Sequence, residues 1–254
     1  MSRFLPAPVK GVLAVLCIVL NTLWLFPILM VFAVIKLLIP TPSVRKGCTI
    51  VLNRIAWFWI GFNNVLADVL HNIKWDVRGA EGLSREHWYF VTCNHRHTKE
   101  QIARRPELKG KDVEATRAAC EKFRYTPVTI FNFMEGTRLT PAKHQSQNSP
   151  HKHLLRPRAG GTAFVLEAMG ESLHTMLDVT IVYPDGKSGI WDYLCGRIQR
   201  IVVDIRVREI PQRFLGMDYE NNRETRADFQ RWVSQIWEEK DALIDELKRS
   251  PRAL

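Results

Sequence analysis

The chain has 254 residues, 46% of them apolar and 24% charged, with a formal net charge of +10, a composition far from that of intrinsic disorder. A mean hydropathy of −0.14, with long apolar runs confined to the N-terminal part, excludes a polytopic transporter. Five cysteines (Cys17, Cys48, Cys93, Cys120 and Cys195) lie far apart without a CxxC pair, which excludes a disulfide scaffold and structural zinc and points to a reduced compartment.

Residues 1–67 hold six basic residues (Arg3, Lys10, Lys36, Arg45, Lys46, Arg54) and no acid, residues 71–210 hold 22 basic against 16 acidic, and 211–254 are nearly neutral. A positive excess on an apolar N-terminus and on the middle of the chain suits an anionic membrane surface with a phosphate-bearing ligand nearby. Nucleic acid is the competing partner. It is not expected, because there is no zinc finger, RNP-like run or basic helix with heptads.

Gly11 to Ile35 runs without a charge, long enough for a bilayer span. A secretory signal would have a shorter apolar region followed by small residues, whereas this run continues into LLIPTP. Pro40 and Pro42 then break the helix. Ile50–Leu70 mixes Trp57, Phe58 and Trp59 with Arg54, Asn63, Asn64 and Asp68, an interfacial composition. Residues 1–71 are therefore expected to form a membrane-associated helical hairpin. The alternative is a spanning first helix whose successor packs on the soluble domain.

Residues 72–254 alternate short strands and helices, an α/β pattern. Ile73–Arg78 alternates like an exposed strand, and Trp88–Cys93 reads as a buried one. Lys111–Phe123 reads as a helix, Pro127–Met134 as another buried strand, and Ala159–Met169 as a short helix. Leu177–Tyr183 and the alternating Arg200–Ile210 are further strands. The tail from Arg226 to Leu247 is helical, with a capping-box-like start at Thr225 and Asp228. Phe229, Val233, Ile236, Lys240, Leu243 and Leu247 follow at helical spacing.

Two polar stretches follow apolar strands, where α/β sheets bind ligands. Asn94-His95 follows WYFVTC, and Glu135-Gly136-Thr137-Arg138 follows PVTIFNFM. His95 can act as a general base near neutral pH if a carboxylate fixes its tautomer, and Glu100 is the candidate carboxylate. Gly136 admits close approach of a ligand, Arg138 offers a fork matching phosphate oxygens, and Thr137 adds a hydroxyl donor. Glu135 can hold Arg138 or neighbouring backbone donors in place. Taken singly, each stretch also reads as a polar turn after a strand. Their joint appearance behind a basic, apolar N-terminus is far more specific.

Asn94-His95 and Glu135–Arg138 resemble the first and third motif blocks of the glycerolipid acyltransferases, the group containing bacterial 1-acylglycerol-3-phosphate acyltransferases. The resemblance extends to Arg156-Pro157-Arg158-Ala159-Gly160-Gly161, to Val182-Tyr183-Pro184 and to the N-terminal helices, and so covers nearly the whole chain. It is closest to a bacterial inner-membrane branch with an LEGTR or MEGTR third block. The resemblance implies a mixed sheet flanked by helices of the acyltransferase type. It also implies a catalytic domain on the cytoplasmic side of the inner membrane. The implied reaction has no covalent enzyme intermediate, metal or cofactor. His95 takes a proton from the hydroxyl of a lysophospholipid such as lysophosphatidate. The oxygen then attacks the thioester of acyl-CoA or acyl-carrier protein, and the third-block Arg138 binds the acceptor phosphate. A Ser or Cys nucleophile is not implied, and Cys93 reads as core.

The sequence departs from that pattern in two places. The first block should read NHx4D, and this chain has Glu100 in place of the aspartate, one methylene longer and so reaching the imidazole from a shifted position. Only 40 positions separate His95 from Glu135, where the family places a further strand, helix and a second block with its own arginine. Arg96 is the one remnant of that block, and an internal deletion is inferred. Two readings of Glu100 follow: it orients His95, or it begins the helix-prone KEQIARR and points to solvent. The shortened interval favours the second, and with it a family member of impaired chemistry.

Overall fold

The computed structural model describes residues 5–39, 41–71, 73–84, 86–94, 128–170 and 172–249. The described helices are α1 (Ala7–Leu38), α2 (Pro42–Leu70), α3 (Pro141–Ser146), α4 (Gly160–Met169), α5 (Ile190–Leu194) and α6 (Arg223–Arg249). The strands are β1 (Lys74–Arg78), β2 (Tyr89–Cys93), β3 (Thr129–Asn132), β4 (Thr175–Val182) and β5 (Arg200–Glu209). His95, Arg96, Glu100 and the Lys111–Phe123 segment lie outside the described residues. The chain divides into two compact units, Met1–Lys74 with Asp185–Arg200, and Trp75–Pro184 with Ile201–Leu254.

In the first unit, α1 and α2 form an antiparallel pair. The Trp59 indole N–H donates to the Thr22 hydroxyl at 3.1 Å, and the two residues lie at comparable distances from the proline turn. Proline suits the first position of α2, where its missing N–H has no helical acceptor to lose. Among the described residues α1 is the one helix with the length and composition of a membrane span. Leu20, Leu23, Trp24 and Leu37 are exposed along it, while Gly11, Ala14, Asn21 and Leu25 are buried. Gly11 is required by packing. A Cβ there would lie 2.6 Å from Cys195 Sγ and 3.0 Å from the Trp191 ring, so only glycine admits the segment carrying α5. The same segment places Tyr193 against His71, with ring centroids 4.7 Å apart. Burial, with nearby Lys10 adding to it, lowers the His71 pKa.

The second unit holds a five-stranded mixed sheet in the order β1-β5-β4-β2-β3. β2 is parallel to β3 and β4, and β5 runs antiparallel to β4. The central β2 is buried along its whole length, as its compact apolar run predicts. One face is covered by α4 and α6, and Phe90, Met176, Val182 and Val202 of the sheet join Leu166, Phe229, Val233, Trp237 and Ile244 in the main core. Tyr89, Val91 and Leu177 centre a smaller cluster on the opposite face.

Two expectations need correction. The strand within Pro127–Met134 is not buried: β3 occupies a sheet edge among the described residues, and Phe131 is 65% exposed. An apolar run of that length cannot report whether both sides of a strand are paired. The last helix also begins earlier than the capping-box pattern predicts. The Asn222 side chain accepts from the N–H groups of Glu224 and Thr225, both at 3.0 Å. Asparagine is as good an N-cap as threonine, so Asp228 falls inside the helix, where it pairs with Arg213 at 2.7 Å.

Candidate functional site

The parallel pairing of β2 with β3 sets Thr92 opposite Asn132. The two motif-bearing strands therefore finish side by side at the same end of the sheet. Asn94 fixes the exit from β2. Its side-chain amide donates to the Ile181 carbonyl and accepts from the Ile181 N–H, both at 2.8 Å. This extends the β2–β4 ladder by one side chain and sets where the chain leaves the sheet, immediately before His95. A two-bond amide mimic of a backbone pair requires Asn or Gln.

At the end of β3 the chain turns sharply, with the Gly136 N–H donating to the Phe133 carbonyl at 2.8 Å. Gly136 has φ +64, a left-handed conformation in which a side chain is strained. Its open Cα side faces Arg158, whose Cδ would be 3.4 Å from an added Cβ. The Thr137 hydroxyl accepts from Lys143 Nζ at 2.5 Å. The Arg138 Nε is buried and has no hydrogen-bond partner among the described residues. Arg138 of this turn thus has two further cations on its neighbours, Lys143 of α3 at Thr137 and Arg158 of the following loop at Gly136. Glu135 is 1% exposed and accepts from the Leu155 N–H at 3.4 Å, the backbone-holding role open to it from sequence. Gly161 leaves room for the Asn132 amide, which donates to the Thr162 hydroxyl at 3.1 Å. Guanidinium and ammonium groups gathered at one turn suit an anion with several oxygens.

Beneath the strand ends lies a buried charge network that the motif analysis does not contain. Lys240 of α6 is fully buried, with Nζ 2.6 Å from Asp178 Oδ1 and donating to the Val179 carbonyl at 2.7 Å. Asp178 also accepts from Arg208 Nε at 3.0 Å, and Arg208 in turn reaches Glu239 at 2.8 Å. Burial pushes the Lys240 pKa down, against the opposing pull of Asp178. The sequence signal existed in two parts: a lysine on the apolar stripe of a helix, and an aspartate inside the strand LDVTIVY.

Cys93 is buried at the end of β2. Burial pushes its thiol up to about 11, with Lys240 opposing and Glu135 adding to the shift. The thiolate is the reactive form, so Cys93 is expected to resist iodoacetamide at pH 8 in the folded protein and to react once the chain is unfolded. Rapid alkylation in the native state would show that this strand end is open. Among the described residues no group of three or more His, Cys, Asp and Glu is arranged to hold a metal ion.

His95, Arg96 and Glu100 belong to the sequence-predicted site and lie outside the described residues. The described part is the turn Glu135–Arg138 and the strand exit at Asn94.

No protein-family model matches this chain, and no solved structure matches it. Among curated proteins it is similar to the 2-acyl-1-lysophosphatidylinositol acyltransferase of Saccharomyces cerevisiae, with 27% identity over 135 residues. The match covers 47% of this chain and 32% of the yeast protein, so the chain spans about a third of the length of that relative. The broad class that this distant similarity supports for the chain is that of the glycerolipid acyltransferases.

Proposed function

We propose that the protein is a membrane-bound acyltransferase that moves an acyl chain from a thioester donor to the hydroxyl of a lysophospholipid. The observation that carries this reading is the turn after β3. There Gly136, Thr137 and Arg138 meet Lys143 and Arg158 beside the strand that leads into His95. The similarity to a lysophospholipid acyltransferase supports the same class. His95 acts as the base for the acceptor hydroxyl, the thiol of acyl-CoA or acyl-carrier protein leaves, and Arg138 binds the acceptor phosphate. The apolar surface of α1 anchors the chain in the bilayer and brings it to its lipid substrate. Placement in a bacterial inner membrane, with the sheet on the cytoplasmic side, rests on the MEGTR form of the third block.

The test is consumption of labelled acyl-CoA by the purified full chain with lysophosphatidate as acceptor. Arg138→Lys keeps the charge but loses the fork. It is expected to raise the acceptor KM about tenfold while the donor KM stays within about twofold. Equal effects on both substrates would remove Arg138 from the phosphate role. Absence of acceptor-dependent thioester loss in the wild type would overturn the activity itself.

The second reading, a chain that keeps the fold and membrane address but has impaired chemistry, is favoured by the 40-position interval between His95 and Glu135. It predicts lysophosphatidate binding with little turnover.

A further inference from the structure

Residues 149–158 connect α3 to α4 without helix or strand, yet their backbone is held from both sides by carboxylates. Asp241 of α6 accepts from the Lys152 N–H at 2.8 Å through one oxygen and from the His153 N–H at 2.7 Å through the other. Two residues on, the Leu155 N–H donates to Glu135 of the basic turn. Leu154 and Leu155 are buried in the core, while Arg156 and Arg158 are exposed. The Arg158 N–H donates to the Met134 carbonyl at 2.6 Å, and its side chain lies over Gly136. A continuous set of contacts therefore runs from Asp241, through the loop backbone, to the turn that carries Arg138. The anchoring is reinforced next door, where His153 Nε2 meets Asp245 at 2.7 Å and Lys152 Nζ lies 3.1 Å from the same carboxylate.

We propose that Asp241 is a positioning residue of the anion-binding turn: by fixing the backbone at Lys152 and His153 it holds Arg158 beside Gly136 and so completes the cationic cluster. Asp241 touches no part of the cluster itself. It acts by limiting where the loop can sit. A basic loop with two exposed arginines would otherwise be pushed outward by repulsion from Arg138 and Lys143, and side-chain carboxylates on backbone N–H groups are among the stronger restraints available. The acceptor readout below rests on the acyltransferase reading, and the exchange readout does not.

The experiment compares the full chain with Asp241→Ala and Asp241→Asn by hydrogen exchange and by acceptor kinetics with lysophosphatidate. Asp241→Ala removes both acceptors and is expected to speed exchange at Lys152 and His153 about tenfold or more. The Gly136 and Arg158 amides should accelerate with them, while amides of the β4–β5 ladder stay unchanged. The acceptor KM should rise about fivefold or more with kcat and donor KM within about twofold. Asp241→Asn keeps one acceptor and should fall between wild type and Asp241→Ala. Unchanged exchange at Gly136 and Arg158 would overturn the proposal, since the restraint would then end within the loop. Equal acceleration across the β4–β5 ladder would also overturn it, as a general loss of stability. A wild type with no lysophosphatidate turnover would overturn the acyltransferase reading, and the exchange pattern would still decide whether Asp241 positions the turn.

Discussion

Lys240→Met is expected to destabilise the protein by about 3 kcal/mol, measured as a shift of the urea midpoint at unchanged slope. Methionine matches the lysine stem in length, so little packing is lost. What the change does is leave Asp178 buried, at 2% side-chain exposure, without its contact at 2.6 Å. Breaking one side of a buried pair commonly costs about 3–5 kcal/mol. The low end applies because Arg208 still reaches Asp178 at 3.0 Å. Neutralising both sides, as in Lys240→Met with Asp178→Asn, is expected to recover a large part of that loss, because desolvation of the ions offsets most of their attraction. A double variant no more stable than Lys240→Met alone would mean that the pair stabilises the fold outright.

The pH dependence follows from the direction of the Lys240 shift. Burial lowers its pKa in the folded state below the ordinary 10.5. As pH falls through that window, the unfolded chain takes up the proton before the folded one does. Stability therefore rises with pH between the depressed value and about 10.5. Lys240→Met should flatten that rise. An unchanged profile would show that the lysine keeps its ordinary affinity for protons.

His95→Ala is expected to lower acceptor-dependent thioester consumption by about a thousandfold, the range in which a positioned general base operates. The fold should be unaffected, since Asn94 rather than His95 makes the two bonds that end β2. Glu100→Gln separates the two readings of the first block. If Glu100 orients His95, the loss should approach that of His95→Ala, as removal of an orienting carboxylate does in other His-dependent enzymes. The shortened interval between the motif blocks leads us to expect a change within about twofold instead, on a wild-type rate that is already low. A large effect of Glu100→Gln would reinstate the acid–base pair and with it a fully active enzyme. Equal activity of His95→Ala and wild type would remove His95 from the chemistry altogether.

Much of the architecture is legible in the chain because it depends on local pattern. The uncharged run before Pro40 is long and apolar enough for a helix of span length, and that helix continues through Pro27. The unbroken apolar character of Tyr89–Cys93 marks a central strand, because only burial on both faces removes the need for alternation. The strand endings that carry Asn94 and Glu135 were likewise readable, whereas the left-handed turn that requires glycine at position 136 appeared only in the structure. Other features depend on what lies beyond an element's own residues. Whether Thr129–Asn132 is central or at an edge is decided by its neighbours, and the sheet order leaves Phe131 exposed. The start of α6 is chosen between two competent caps, and Asn222 prevails by lying further upstream. Gly11 looks like one more small residue in an apolar helix until Cys195, from a segment more than 180 positions later, packs against it. Lys240 and Asp178 each break an apolar pattern, but only tertiary packing brings them within 2.6 Å and makes a buried ion pair of two local anomalies. Long-range pairing of charges and the crossing of loops over turns leave no periodic trace in sequence, so the network under the strand ends and the Asp241 anchor were decided by the tertiary structure alone.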